Sequence, residues 1–316
     1  MKYGNLAGLS RPIARLVMGT MVCTTENMEL TRALLDAYLE AGGNILDSAR
    51  VYGKSEDAIG QWMQERGNRD KVIILTKGAH HDASGPRVNP TAIDADITES
   101  LRRLQTDHID LYLLHRDDPN VPVGPIVECL NEQKARGRIH LFGGSNWTTG
   151  RIEAANAYAE AHGLQGFAAS SPFFSLAQAN EPMWAGCVTL DRAGWEWHRA
   201  HQFPLFPWSS QASGFFTGRY SPEDRSNSDI VRVYYNEGNW ERLRRARELA
   251  AKKGCTANNI ALAYVLHQPF PVFPLFGPRT LEELHSSLPA LEVALTEAEM
   301  RWLNLEDNAA EGDRPA

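Results

Sequence analysis

No stretch of the sequence approaches the roughly 18 uninterrupted apolar residues that a membrane-crossing helix requires. Cysteine is scarce: Cys23, Cys129, Cys187 and Cys255 lie far apart with no CxxC spacing. That pattern excludes a disulfide framework or a thiolate zinc module and fits free thiols in a reducing compartment. Basic residues are in deficit, with 32 Lys and Arg against 39 Asp and Glu, for a formal charge of −7. A sequence-independent nucleic-acid binder needs a basic footprint, so that class is set aside. The opening MKYGNLAGLSRP lacks the apolar core of a signal peptide, and the cytoplasm is the expected location. No low-complexity linker interrupts the 316 residues, which predicts one domain over 1–316.

What the chain does have is alternation. Short apolar runs, RLVMGT (15–20), NILDSA (44–49), VIILTK (72–77), IDLYLLH (109–115), IHLFGGS (139–145), GFAASS (166–171), FPLFPWS (203–209) and PVFPLFG (271–277), read as strands. Between them lie helical stripes: Leu30, Leu34, Tyr38 and Ala41 before Gly42-Gly43, then Ile93, Ile97, Leu101 and Leu104, and later Leu281, Leu284 and Leu288. Strands that are apolar throughout suit a sheet buried on both faces. Eight such units in this length predict a (β/α)8 barrel of the TIM type, with a doubly wound open sheet as the rival. Two connections, 175–190 and 210 to about 236, are long enough to be covers or binding segments.

A barrel gathers the C-terminal ends of its strands on one face. Asp47 and Tyr52 follow the second strand, Lys77 ends the third and His115 ends the fourth. Taken singly, Asp47 reads as a cap, Tyr52 as a turn aromatic, Lys77 as a solvated strand end and His115 as a satisfied polar group. Taken jointly, they form a set with a chemical use. A phenol titrates near 10; an ammonium beside it favours phenolate, and a carboxylate keeps that ammonium charged. Such a tyrosine can protonate a carbonyl oxygen that is gaining negative charge, with a histidine orienting the same oxygen. The hydride has to come from a cofactor.

At these residues the sequence resembles the aldo-keto reductase superfamily. GGNILDSARVYG, ILTKG and LYLLHRDD look like its signatures, and FGGSNW (142–147), PWSSQASGFFTGRY (207–220) and FPLFGPRTLEEL (273–284) follow in the same order. MKYGNLAG is similar to the hairpin that plugs the barrel bottom. The long loop after 207–220 is most like the branch containing the potassium-channel β-subunits and many bacterial reductases. The resemblance implies Tyr52 as proton donor, Lys77 and Asp47 as its tuning pair, and His115 as the group that orients the substrate carbonyl. It implies a nicotinamide cofactor, with NADP(H) favoured and NAD(H) as the alternative. Ser145, Asn146 and Ser171 would hold the carboxamide and Trp208 would stack on the nicotinamide. Gly19, Thr20, Ser209, Ser210, Gln211, Ser213, Gly214, Gly218, Arg219, Gly277, Arg279, Glu283 and Ser287 would line the rest of the cofactor.

Four positions depart from the family pattern: Ser171 stands for a carboxamide side chain, Ser286-Ser287 for an acid-asparagine pair, and Glu283 for a basic residue. A carboxylate there would repel a 2′-phosphate that Arg279 would attract. The substrate is expected to be a small carbonyl or alcohol compound, sugar-like if the polar run His115-Arg116-Asp117-Asp118 binds hydroxyls; His80, His81, Trp147 and Phe174 flank the same region. No metal site is expected. A metal-dependent barrel enzyme would use His80, His81, His115 and Asp47, a Schiff-base enzyme would use Lys77, and a slow cofactor-sensing module could keep the whole constellation.

Overall fold

The computed structural model describes residues 1–306. Two short antiparallel strands, β1 (Tyr3–Gly4) and β2 (Ile13–Ala14), form a hairpin at the start of the chain. The parallel strands β3 (Val17–Gly19), β4 (Ile45–Asp47), β5 (Ile73–Gly78), β6 (Ile109–Leu114), β7 (Ile139–Ser145), β8 (Ser170–Ser171) and β9 (Leu275–Phe276) pair in the order β8-β7-β6-β5-β4-β3-β9. Helices follow: α1 (Met28–Glu40), α2 (Ser55–Arg66), α3 (Pro90–Leu104), α4 (Val123–Ala135), α5 (Thr149–Ala161), α6 (Arg192–His201), α7 (Ser228–Tyr234), α8 (Glu237–Lys253), α9 (Ala257–Leu266), α10 (Leu281–Ser287) and α11 (Glu297–Leu303). The fold is a (β/α)8 barrel, as expected from the alternation.

The seventh expected strand, 203–209, departs from a regular ladder. It closes the ring through parallel bridges from Leu205 to Ser170 and to Val272. Pro204, Pro207, Pro271 and Pro274 have no amide to donate, so each joins only as an acceptor through its carbonyl. The donors are residues such as Leu205, to the Pro271 carbonyl at 2.9 Å, and Phe206, to the Ser170 carbonyl at 2.7 Å. The same prolines shorten the last strand to Leu275–Phe276.

Within each strand the side chains alternate between two apolar layers, which explains the unbroken apolar runs. Val17, Ile45, Ile73, Leu75, Leu111 and Leu113 fill the barrel interior together with Phe206 and Phe273, whose rings stack at 4.9 Å. Met18, Leu46, Ile74, Tyr112, Leu114 and Phe142 form the outer layer against the helices. The predicted stripes of α1 and α3 bury Leu34, Tyr38, Ile93, Ile97 and Leu104. The third stripe holds only in part. Helix α10 is seven residues long, so Leu281 in its first turn is 39% exposed, Leu284 is buried, and Leu288 opens the following 3-10 turn.

Of the two long connections, 175–190 contains no helix or strand, while the second contains the 3-10 turn Ala212–Thr217 and α7. No helix among the described residues is long and apolar enough to cross a membrane.

Candidate active site

A cleft of about 540 Å³ opens where the strands end at their C-terminal side. Asp47, the last residue of β4, is 3% exposed, and Lys77 in β5 is 2% exposed. The Lys77 ammonium donates to Asp47 Oδ1 in a short contact and to the Ser48 carbonyl at 3.0 Å. Burial works against the Lys77 charge, but Asp47 and then Tyr52 outweigh it and hold the ammonium above the ordinary lysine value. Burial also pushes the Asp47 carboxyl up, against the pull of Lys77. An ammonium held this firmly is a poor Schiff-base nucleophile, which counts against that alternative.

The segment after β4 is fixed by its backbone. Ser48 donates to the Leu75 carbonyl and Arg50 to the Lys77 carbonyl, both at 2.9 Å, and Tyr52 donates back to Ala49 at 2.9 Å. Arg103 of α3 donates to the Arg50 carbonyl at 3.0 Å, and Gly53 turns the chain at φ +55°. No atom lies within 4 Å of where a Gly53 Cβ would be, so its requirement is conformational and not spatial. This delivers Tyr52 to the cleft with Lys77 Nζ 5.3 Å from its ring centroid. Lys77 lowers the phenol as expected, but it does not set the net shift. Burial pushes Tyr52 above its ordinary value, and Lys77 opposes that shift without reversing it.

His115 follows β6, its ring edge-on to Tyr52 at 5.7 Å and T-shaped to His80 at 4.9 Å. Burial, then Lys77, hold its imidazole well below the usual histidine value, so it is neutral at pH 7; its Nδ1 is buried without a protein partner. The four residues reasoned from strand ends therefore meet at one end of one cleft. The alternative metal set does not meet in this way: among the described residues, the donors that gather within 4.8 Å of one another are His108, Asp110 and His140. Those lie at the N-terminal starts of β6 and β7, and Asp110 already holds Arg69 at 2.9 Å.

The cleft continues past β7, with Ser145, Asn146 and Trp208 on its wall. Ser145 Oγ donates to the Ser171 carbonyl at 2.9 Å, and Asn146 Nδ2 to the His115 carbonyl at 3.2 Å. Trp208 sits between Phe173 at 5.3 Å and Trp184 at 5.8 Å, and its Nε1 is buried without a partner. Farther along, Ser209, Ala212, Ser213 and Gly214 all have positive φ, three of them without being glycine. Ser210 Oγ donates to the Leu275 carbonyl at 2.7 Å and Gln211 Nε2 to Ser287 Oγ at 3.0 Å. Glu283 accepts from the Arg279 amide at 2.8 Å and faces Arg219 at 3.5 Å. Gly19, Thr20 and Gly277 also line the cleft; Ser171 and Gly218 do not. Ser171 is fully buried behind the wall, its Oγ without a partner.

A model of the Aldo/keto reductase family matches residues 15–304. The chain belongs to that family. The uncharacterized oxidoreductase YrpG of Bacillus subtilis is 28% identical, over 96% of this chain and 95% of that protein. The norsolorinic acid reductase stcV of Emericella nidulans is 31% identical over 86% of this chain and 70% of its own length. Among solved structures, a glycerol dehydrogenase from Gluconobacter oxydans superposes with a TM-score of 0.79 at 22% identity, covering 96% and 94% of the two chains, which attests the shared fold. As an aldo/keto reductase the protein is an oxidoreductase of a family that reduces carbonyl compounds with nicotinamide cofactors.

Several aldo/keto reductase cleft residues escaped the sequence reading. Met183, Trp184 and Cys187 come from the irregular 175–190 segment, and Asn227, Ile230 and Asn258 from around α7 and the first turn of α9. The length of the first connection was its only signal. Asn258 lines the cleft with its Oδ1 buried and without a partner. Residues expected to flank the site divide sharply. Arg116 lines the cleft. Trp147 is buried and donates to the Arg116 carbonyl at 3.0 Å, and Phe174 packs on Tyr264. Asp117 is gripped by Arg151 at 2.8 and 2.9 Å, and Asp118 accepts from Asn120. Those two aspartates shape their loop, which removes them from the proposed hydroxyl-binding cluster.

Proposed function

We propose that the protein reduces an aldehyde or ketone to an alcohol with NADPH preferred over NADH, Tyr52 serving as general acid. The observation that carries this reading is the convergence of Tyr52, the buried Lys77–Asp47 pair and neutral His115 at one end of a single cleft. When bound, the nicotinamide cofactor supplies the hydride. Tyr52 donates its proton to the carbonyl oxygen as that oxygen gains negative charge. Lys77 stabilises the phenolate left behind, and Asp47 keeps Lys77 charged and aimed. Neutral His115 offers a ring N–H to the same oxygen without a competing charge.

The rest of the cleft suits a dinucleotide. Its floor is made of small residues whose left-handed backbone is costly outside glycine and persists only when the surroundings enforce it. Trp208 presents an aromatic face beside Ser145 and Asn146, which supports their roles against the nicotinamide. Arg279 has no protein partner for its guanidinium among the described residues, a reason to assign it to a 2′-phosphate. Glu283 is a weaker opponent of that phosphate than its sequence position suggests. Its carboxylate is engaged by the Arg279 amide and by Arg219. Titrating the protein with NADPH and with NADH while following tryptophan fluorescence tests the reading. Saturable quenching with a lower Kd for NADPH is expected; no binding of either cofactor, by fluorescence and by calorimetry, would overturn it.

A further inference from the structure

Four cations line the cleft: Lys77, Arg116, Arg219 and Arg279. Lys77 is paired with Asp47 and Arg219 faces Glu283. The cleft's remaining carboxylate, Asp229, is taken by Arg232 at 3.1 Å. Arg116 and Arg279 are left with no anionic partner among the described residues, and they stand at opposite ends. Arg279 belongs to the end proposed for the adenosine phosphate. Arg116 directly follows His115, and its charge acts on Tyr52, His115 and His80. The side chain is half-buried. Among the described residues its side chain finds one acceptor, the Cys187 thiol, 2.7 Å from Nη1, and sulfur is a weak acceptor. Nε is buried with no acceptor at all.

The atoms left over have a shape. With Nη1 on Cys187, the edge carrying Nε and Nη2 remains, two parallel donors that match the two oxygens of a carboxylate. The fold uses this same edge on its own carboxylates, for instance Arg151 on Asp117 at 2.8 and 2.9 Å and Arg32 on Glu65 at 2.7 and 2.8 Å. The nearest candidate anion by sequence, Asp117, is consumed by Arg151 and cannot fill it. We infer that Arg116 is a carboxylate-binding subsite and that the substrate is a carbonyl compound carrying a carboxylate, held so that its carbonyl meets Tyr52. This rests on the reductase reading given above and adds the substrate's chemical class.

The test compares 4-carboxybenzaldehyde with 4-methylbenzaldehyde, which differ in the anionic group, using NADPH as reductant. The wild-type ratio of kcat/KM is expected to favour the carboxylate by about 10- to 100-fold, the range of charge-assisted pairing. In Arg116→Leu that ratio falls close to one, and in Arg116→Lys it takes an intermediate value because the charge remains without the fork. A ratio near one in the wild type, or one that persists in Arg116→Leu, would overturn the assignment. Calorimetric titration with benzoate and with benzamide separates the two readings. Benzoate binding that is lost in Arg116→Leu, in a protein that reduces neither aldehyde, would uphold the subsite and remove the reductase function. Turnover of both aldehydes with no preference for benzoate over benzamide would do the reverse.

Discussion

Removing either member of the Asp47–Lys77 pair is expected to cost far more than removing both. Both side chains are nearly sealed from water, with relative exposures of 3% and 2%. In Asp47→Asn the ammonium keeps the Ser48 carbonyl but loses its counter-charge, and in Lys77→Met the carboxylate loses its cation. An uncompensated buried charge costs about 3–5 kcal/mol, whereas an uncharged pair of similar volume is close to neutral. At about 2 °C per kcal/mol for a chain of this size, each single variant should melt about 6–10 °C lower. The double variant Asp47→Asn/Lys77→Met should recover most of that, so the coupling in a urea-unfolding cycle should be larger than either single loss. The pH dependence provides a second check. Without Asp47, burial lowers the folded-state value of Lys77 below its unfolded value, so the unfolded chain binds more protons and stability rises with pH. Asp47→Asn should therefore regain stability between neutral pH and about pH 10. Losses that simply add in the double variant would refute the claim that a buried charge pair organises this end of the cleft.

Further outcomes follow from single sites. Arg279→Gln should weaken NADPH binding about tenfold while leaving NADH within about threefold, measured by parallel titration; an equal loss for both would remove the 2′-phosphate role. His198 is fully buried, accepts no partner at Nε2 and shares Nδ1 with the Phe203 carbonyl at 2.9 Å; burial holds its value down to about 4. Because that lies below the unfolded value near 6.5, its contribution is complete above pH 6.5 and is lost as pH falls toward 4. At pH 4.5 this amounts to about 2–3 kcal/mol, which His198→Gln should abolish in unfolding curves taken at pH 7 and 4.5. An unchanged acid sensitivity would show that other groups carry it.

What the sequence disclosed, and what it withheld, divides along physical lines. Strands buried on both faces announce themselves as apolar runs, so Ile73–Gly78 and Ile109–Leu114 were legible, and with them the placement of Lys77 and His115. The closing segment at 203–209 was legible as an apolar run but not as an irregular one, because the effect of Pro204 and Pro207 depends on which neighbour needs a donor. The net shift of Tyr52 was not legible, since a nearby lysine can be read from motif spacing whereas the depth of burial cannot. The contact between Arg116 and Cys187 spans 71 residues and rests on a segment with no periodic pattern. The roles of Asp117 and Asp118 were undecidable until Arg151 was placed.

The most direct test of the central claim is steady-state NADPH oxidation, followed at 340 nm, with an aldehyde as substrate, in the wild type and in Tyr52→Phe. The phenol hydroxyl is the only group this substitution removes, and loss of a positioned general acid costs about 10²- to 10⁴-fold. Multiple turnovers in the wild type and a fall of that size in kcat/KM, with NADPH binding retained, are the predicted result. A Tyr52→Phe variant that reduces the aldehyde at the full rate would contradict the account.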